Sequence, residues 1–256
     1  MSALLVLDLL PARMDVNGDR GNVLAVVRRL EWAGLSAVVV TGDDPRWWAA
    51  EPDLVHVSGP TVAGQRAALA HVGGRREALD DWAAAGVPVL GVAGGYHLLL
   101  DRLRLPGAEE EVPGLGLLPG TSRPAARTSG FTVLDTADGR VHGYHNLGQE
   151  AVPEGAAWGA VVAGGAGVGR PEGASRGTVL GTNLNGPLLP RNPVLADRLL
   201  RLAAGRRGLE YAPGGPHRAA DLLAARANAV LHARATARRT ASYTPAGRAR
   251  GLQRPG

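Results

Sequence analysis

Short runs of apolar, often β-branched residues alternate with helical stretches along the first hundred residues, and this alternation constrains the fold most. Predicted strands cover 4–10, 35–41, 53–57 and 88–92, and a proline, glycine or serine directly follows each of the first three. Predicted helices cover 21–34, 75–85 and 94–103. Strands that alternate with helices form a parallel sheet with helices on both faces. We therefore expect an α/β, doubly wound, flavodoxin-like sheet.

The second half of the chain has a different character. Short strands around turns are predicted within 114–135 and 139–144, with a hairpin at Ala137-Asp138-Gly139, and a further strand at 178–184. Helices are predicted at 192–204 and about 218–240, whereas 160–169 is too rich in glycine to assign. This pattern predicts one large domain over 1–207, a C-terminal helical extension over 208–242 and a basic, disordered tail over 243–256.

The chain contains no cysteine, which excludes disulfides, thiolate metal sites and a cysteine nucleophile. It opens on a short apolar run that ends at Pro11, and no stretch has the length or pattern of a membrane span or secretory signal. We expect a cytoplasmic protein.

The positive charge is concentrated near the C-terminus. The 256 residues carry a net charge of +5, whereas His217–Gly256, with eight arginines and one acid, carries +7, so the preceding residues carry −2. Only Tyr243 is an aromatic residue among these arginines, and no nucleic-acid motif is present. We therefore expect no nucleic-acid partner.

The segment Val89–His97 predicts a strand that turns sharply through Gly94-Gly95 into a helix. This is the arrangement of a nucleophile elbow, in which the residue at the turn is held over a helix N-terminus whose N–H groups favour an anion. The residue at this turn is Ala93, whose methyl group can neither attack a substrate nor transfer a proton. By itself, the segment is equally consistent with an ordinary strand end.

Two further motifs are specific in combination with the elbow: Val16–Asn22, directly before a helix, and Gly181–Pro193. Together the chain resembles the GatD-type, cobyric-acid-synthase-like glutamine amidotransferases, the glutaminase subunits of lipid II isoglutaminyl synthase. The resemblance runs from about residue 4 to about residue 207 and rests on Gly18–Gly34, Ala93–His97, Gly114-Leu115-Gly116, Gly143–Gly148 and Gly181–Asn192. It implies the triad-type amidotransferase fold and makes Arg127 the counterpart of a substrate-contacting arginine.

The departures from the family pattern fall on positions that carry chemistry. The resemblance aligns the nucleophilic cysteine with Ala93 and the general-base histidine with Asn185, whose amide takes no proton near neutral pH. A pocket histidine aligns with Leu147. The glycine-rich oxyanion loop becomes Ser58-Gly59-Pro60, in which the proline has no N–H to donate. The turn glycines of the motifs remain, which indicates a retained fold without glutaminase chemistry.

The resemblance therefore predicts a pseudoenzyme that partners a MurT-like Mur ligase, in a heterodimer or larger complex. The ligase would amidate or aminate a glutamate carboxyl, in peptidoglycan or natural-product biosynthesis. One alternative is a working glutaminase subunit of lipid II isoglutaminyl synthase. We expect no cofactor. The tryptophans Trp32, Trp47 and Trp48 are equally consistent with partner anchors and with core residues.

The other alternative is a hydrolase with a relocated nucleophile. Ser58 or Thr61 would supply the hydroxyl, with His97 or His145 as its base. A metal site would need His97, His142 and His145, whose spacing fits no ligand pattern, so no metal is expected. The simplest interpretation of His56 and His71 is a surface position.

Overall fold

A computed structural model describes residues 3–9, 17–49, 51–59, 61–105, 107–164 and 167–237. Two sequence predictions, the loss of an N–H at Pro60 and the disordered tail at 243–256, lie outside the described residues. In the described part of the chain, no helix is long and apolar enough to cross a membrane.

Eleven strands are present in the described residues. They are β1 (Leu4–Asp8), β2 (Ala37–Thr41), β3 (Leu54–Val57), β4 (Val89–Val92), β5 (Leu100–Arg104), β6 (Glu111–Pro113), β7 (Leu118–Thr136), β8 (Gly139–Pro153), β9 (Ala157–Gly164), β10 (Pro171–Arg176) and β11 (Val179–Thr182). The α-helices are α1 (Arg20–Trp32), α2 (Val62–Val72), α3 (Arg76–Ala84), α4 (Gly94–Leu99), α5 (Pro193–Arg206) and α6 (Gly215–Ala237).

The strands form one mixed sheet. Its parallel part has the order β2-β1-β3-β4-β11, and β10 and β9 continue it in antiparallel pairing. The long strand β7 pairs with β9 and with β5 along one part of its length each, and with β8 along most of its length. This α/β architecture confirms the predicted fold class, and the strand order places β3, β4 and β11 side by side.

Each face of the parallel strands packs on its own core. In β4, Leu90 and Val92 belong to the core that contains α1 and α5, whereas Val89 belongs to the core that contains α2 and α3. Successive side chains of a strand point to opposite faces, so strands buried on both sides need the nearly continuous apolar runs seen in the sequence.

The predicted helix over 94–103 is wrong in its second half. The helix ends at Leu99, and Leu100–Arg104 forms β5, which pairs with β6 and β7. Leu100 and Leu103 are buried while Arg102 is exposed, and the pairing outweighs local helix propensity. Helix α2 was not predicted from the sequence. The stretch 160–169, which has no assignment from the sequence, contains the end of strand β9.

Helix α6 packs on the body through small and apolar side chains, including Ala224, Leu231 and Ala235. Three larger apolar residues of the same helix, Leu222, Leu223 and Val230, are exposed. Two of the tryptophans also differ in burial. Trp47 is a core residue at 1% exposure, whereas Trp32, at the end of α1, is 38% exposed.

Candidate functional site

Ala93 occupies a sharp turn between β4 and α4. Its backbone angles are φ +50° and ψ −118°, and it is the one non-glycine residue with positive φ in the part of the chain that the structure describes. The residue is 2% exposed, and its N–H donates to the carbonyl of Thr182 at 2.8 Å. Such a conformation is costly for an L-residue, which indicates that the surrounding packing enforces it.

Two glycines allow the chain to approach this turn. A Cβ added to Gly95 would lie 2.0 Å from the carbonyl oxygen of Val57. A Cβ on Gly59 would lie 3.0 Å from the Cβ of Ala93 and 2.9 Å from the carbonyl oxygen of Val92. The loop after β3 therefore lies directly against the turn after β4.

Asp19 joins the first motif to the loop after β3, which lies against the elbow, and to the Gly181–Pro193 motif. Its fully buried carboxylate accepts hydrogen bonds from the N–H of Gly59 at 3.0 Å and from the N–H of Gly186 at 3.1 Å. The three predicted motifs thus meet at the carboxyl ends of β3, β4 and β11, where parallel α/β sheets place ligand sites.

Asn185 is held in place by both of its polar atoms. Its Oδ1 accepts from Asn17 Nδ2 at 2.7 Å, and its Nδ2 donates to the carbonyl of Tyr144 at 3.1 Å. Asn22 fixes the same loop, because its Oδ1 accepts from the backbone N–H groups of Leu188 and Leu189 at 2.7 and 2.9 Å.

Ser58 does not form a nucleophile–base pair. Its hydroxyl donates to Asp8 Oδ1 at 3.1 Å, and the Nδ1 of His56 lies 3.1 Å from the same oxygen and 3.4 Å from the hydroxyl. The other ring nitrogen, Nε2, lies 3.2 Å from Asn22 Nδ2. Serine and aspartate thus share one nitrogen of the ring instead of bonding opposite nitrogens, as proton relay would require. His56 is also fully buried, so its predicted surface position is wrong.

Thr61 has a structural role at the start of α2, where its Oγ1 caps the helix by accepting from the N–H of Gly64 at 3.2 Å. His71 is half-buried and its Nε2 lies 3.0 Å from the carbonyl oxygen of Gly42. These contacts of Thr61 and His71 do not involve the elbow.

His97 and Ser122 form a second serine–histidine pair, with 2.7 Å between Nδ1 and Oγ. Both residues are 0% exposed, so a substrate has no access to the hydroxyl. Burial lowers the pKa of His97 to about 4, which keeps the ring neutral at physiological pH.

A cavity of about 250 Å³ opens near the loop after β11 and is lined in part by His145, Leu147, Glu172 and Asn183. Glu172 is buried and accepts from the Thr182 hydroxyl at 3.0 Å and from the Asn183 N–H at 2.7 Å. His145 Nε2 lies 3.8 Å from Glu172 and has no hydrogen-bond partner among the described residues.

Arg127 lies on β7 with an exposed side chain that donates to Asn146 Oδ1 at 3.3 Å. Its neighbours Ala126 and Thr128 line the 250 Å³ cavity, and Arg127 itself does not. Among the described residues, no group of three or more His, Asp or Glu side chains is placed to hold a metal ion.

Sequence reasoning missed the roles of Asp19 and Glu172. Asp19 stands inside a motif that was recognised, but its contacts with Gly59 and Gly186 join residues 40 and 167 positions apart. Glu172 follows a glycine-rich stretch that gave no strand pattern, so its burial could not be read from the chain.

A doubly wound sheet with a strained elbow at the carboxyl end of β4, flanked by the loops after β3 and β11, defines an amidotransferase-type α/β protein. Residues 28–193 match the CobB/CobQ-like glutamine amidotransferase domain, and the chain belongs to this family.

Individual relatives agree with this assignment. The chain is 26% identical over 218 residues to the lipid II isoglutaminyl synthase (glutamine-hydrolyzing) subunit GatD of Staphylococcus aureus (strain N315), covering 83% of this chain and 89% of that protein. A shorter match, 39% identical over 72 residues, joins 27% of this chain to 14% of the cobyric acid synthase of Gloeothece citriformis (strain PCC 7424). A crystal structure of a glutamine amidotransferase has the same fold, with a TM-score of 0.51 at 19% identity, covering 77% of this chain and 98% of that one.

Proposed function

We propose that this chain is a GatD-like amidotransferase subunit that has lost glutaminase chemistry and acts as the partner of a Mur-ligase-like synthetase. The observation that carries the proposal is Ala93. The elbow keeps the strained conformation that presents a nucleophile, and its side chain is a methyl group in a chain without cysteine.

The position of the general base supports the same conclusion. An amide at Asn185 accepts no proton near neutral pH, and both of its polar atoms are already hydrogen-bonded to Asn17 and Tyr144. Asn185 is also only 4% exposed, so little of its side chain is open to a water or a substrate.

The electrostatics next to the elbow are also unfavourable for acyl transfer. An oxyanion needs free N–H donors aimed at the developing charge. The N–H of Gly59, which lies against Ala93, instead donates to the buried Asp19. This N–H is therefore not free to stabilise an oxyanion, and the proline that follows it in the sequence has no N–H to donate.

The geometry gives little support to a relocated hydrolase. The hydroxyl of Ser58 donates to a carboxylate, that of Thr61 caps a helix, and the Ser122–His97 pair is fully buried. No described histidine is placed to take a proton from a hydroxyl that a substrate can reach.

The partner follows from the likeness to GatD, which is named as one subunit of a synthase. By resemblance, the other subunit is a Mur-ligase-like enzyme that amidates or aminates a glutamate carboxyl. Leu24 and Trp32, which lie eight residues apart on α1, are exposed apolar side chains that are suited to anchor such a partner. Without glutamine hydrolysis, the nitrogen would come from free ammonia or another amine.

Co-expression with a Mur-ligase-like synthetase from the same genome tests the proposal. We expect the two to co-elute in size-exclusion chromatography, and the pair to incorporate ¹⁵N from ammonium but not from the amide of glutamine. The synthetase alone is the matched control. Incorporation from glutamine would instead support a working glutaminase subunit. A chain that neither co-elutes with the synthetase nor alters its activity would overturn the partnership.

A further inference from the structure

A cavity of about 430 Å³ lies between helix α6, the segment that leads into α5, and the β7–β8 hairpin. Its volume falls in the range of small-molecule pockets. None of the residues that line it belongs to the elbow or to the loop after β3, and Arg191, Asn192 and Pro193 come from the far end of the Gly181–Pro193 motif. The cavity is therefore a separate feature, and the proposed function does not use it.

Nitrogen-bearing side chains converge on this cavity from three elements. His142 comes from β8, Arg191 from the segment before α5, and His232 from α6, with 6.0 Å between the two imidazole centroids. In the described part of the chain, the guanidinium of Arg191 forms no ion pair or hydrogen bond. A fourth group, Arg140, is paired with Asp135 at 3.1 Å.

The two carboxylates of the cavity are both paired with groups outside it. Asp138 is bound to Arg198 at 2.6 Å and accepts from Trp158 Nε1 at 3.1 Å. Asp221 is bound to Arg29 at 2.8 Å. Arg198, Arg29 and Trp158 do not line the cavity, so both carboxylates are engaged by groups behind its wall.

Two buried polar atoms are left without partners at the same place. His142 Nδ1 and Asn228 Oδ1 form no hydrogen bond with any described residue. Burial lowers the pKa of His142, and it is lowered further by three neighbouring groups, His232, Arg140 and Arg191. The guanidinium of Arg191 thus offers donors without a partner, as does His142 Nδ1 when it carries a proton, and a bound anion would accept from both.

The groups are held rigidly. Asn192 clamps the backbone of His142 from both sides, accepting from its N–H at 2.8 Å and donating to its carbonyl at 2.9 Å. Asn228 Nδ2 donates to the carbonyl of Arg191 at 2.7 Å, which joins α6 to the opposite wall. A preorganised set of donors binds a ligand without a large ordering cost.

We propose that this cavity binds the phosphate group of a small phosphorylated molecule. Arg191 would contact the phosphate oxygens, and the two imidazoles would donate to them when protonated. The apolar wall formed by Val141 and Leu195 would contact the organic part of the ligand.

Titration of the uniformly ¹⁵N-labelled full chain with inorganic phosphate tests the proposal, with the imidazole resonances of His142 and His232 as the readout. We expect saturable shifts of both rings and an increase in the pKa of His142. A parallel titration with phenyl phosphate separates the sources: tighter binding indicates a phosphate ester, and equal binding indicates inorganic phosphate.

Loss of a charge-assisted hydrogen bond predicts that Arg191→Gln weakens binding roughly tenfold or more. Arg66→Gln removes the same charge from the exposed face of α2 and should leave binding unchanged. His232→Gln provides a second variant if Arg191→Gln folds poorly. Absence of saturable shifts, or equal binding by Arg191→Gln and Arg66→Gln, would overturn the proposal.

Discussion

Replacement of Ala93 by glycine should reveal the strain stored at the elbow. A residue at φ +50° costs about 1 to 3 kcal/mol when it carries a Cβ, and glycine removes that cost. Two costs oppose this gain in stability. The loss of a buried methyl group costs about 0.8 kcal/mol, and the greater freedom of glycine in the unfolded chain costs about 0.5 to 1 kcal/mol. We expect Ala93→Gly to leave the free energy of unfolding within about 1 kcal/mol of the parent, or to raise it.

Ala203 is the matched control, because it has the same 2% exposure but lies in the regular helix α5. Ala203→Gly should lower the free energy of unfolding by about 2 kcal/mol, the sum of the lost methyl group and the helix propensity of glycine. Urea unfolding followed by circular dichroism measures both variants. Equal destabilisation by the two substitutions would show that Ala93 is not strained.

Three further outcomes can be checked. The double variant Ala93→Cys with Asn185→His should release little or no glutamate from glutamine, because the Gly59 N–H remains bound to a carboxylate; robust turnover would mean that the oxyanion site is intact. Arg29→Met should lower the free energy of unfolding by about 3 to 5 kcal/mol in urea titrations, since it leaves a buried carboxylate unpaired, whereas the exposed Arg28→Met should cost less than about 1 kcal/mol. His97 has a pKa of about 4 in the folded chain and 6.5 in the unfolded chain, so between these values protons bind preferentially to the unfolded state. The free energy of unfolding should therefore fall as the pH falls from 6.5 to 4. His97→Gln should flatten this dependence in urea titrations at pH 5 and 7.

The parallel half of the fold could be predicted because each strand is buried on both faces. A strand such as β4 must then read as an apolar run closed by a turn residue, and Gly94-Gly95 marks the turn. The approach of three motifs to one edge was likewise predictable, since the carboxyl ends of adjacent parallel strands lie together.

Long-range pairing explains what could not be predicted. The strand at Leu100–Arg104 depends on partners in β6 and β7, and its own residues are compatible with a helix. His56 looked like a surface residue because the carboxylate that accommodates it, Asp8, lies 48 positions earlier on another strand. The hydrogen bond from the Gly59 N–H to Asp19 could not be predicted for the same reason, because it joins residues that lie far apart in the sequence.

The measurement that tests the central claim most directly is the release of glutamate from glutamine by the purified chain, alone and with the proposed synthetase partner. In the proposed function Ala93 and Asn185 stand at the nucleophile and general-base positions, and loss of one member of such a unit already abolishes most of the rate. The account predicts no glutamate above the background of a protein-free sample in either case. Sustained, enzyme-dependent release that scales with the concentration of this chain would contradict it.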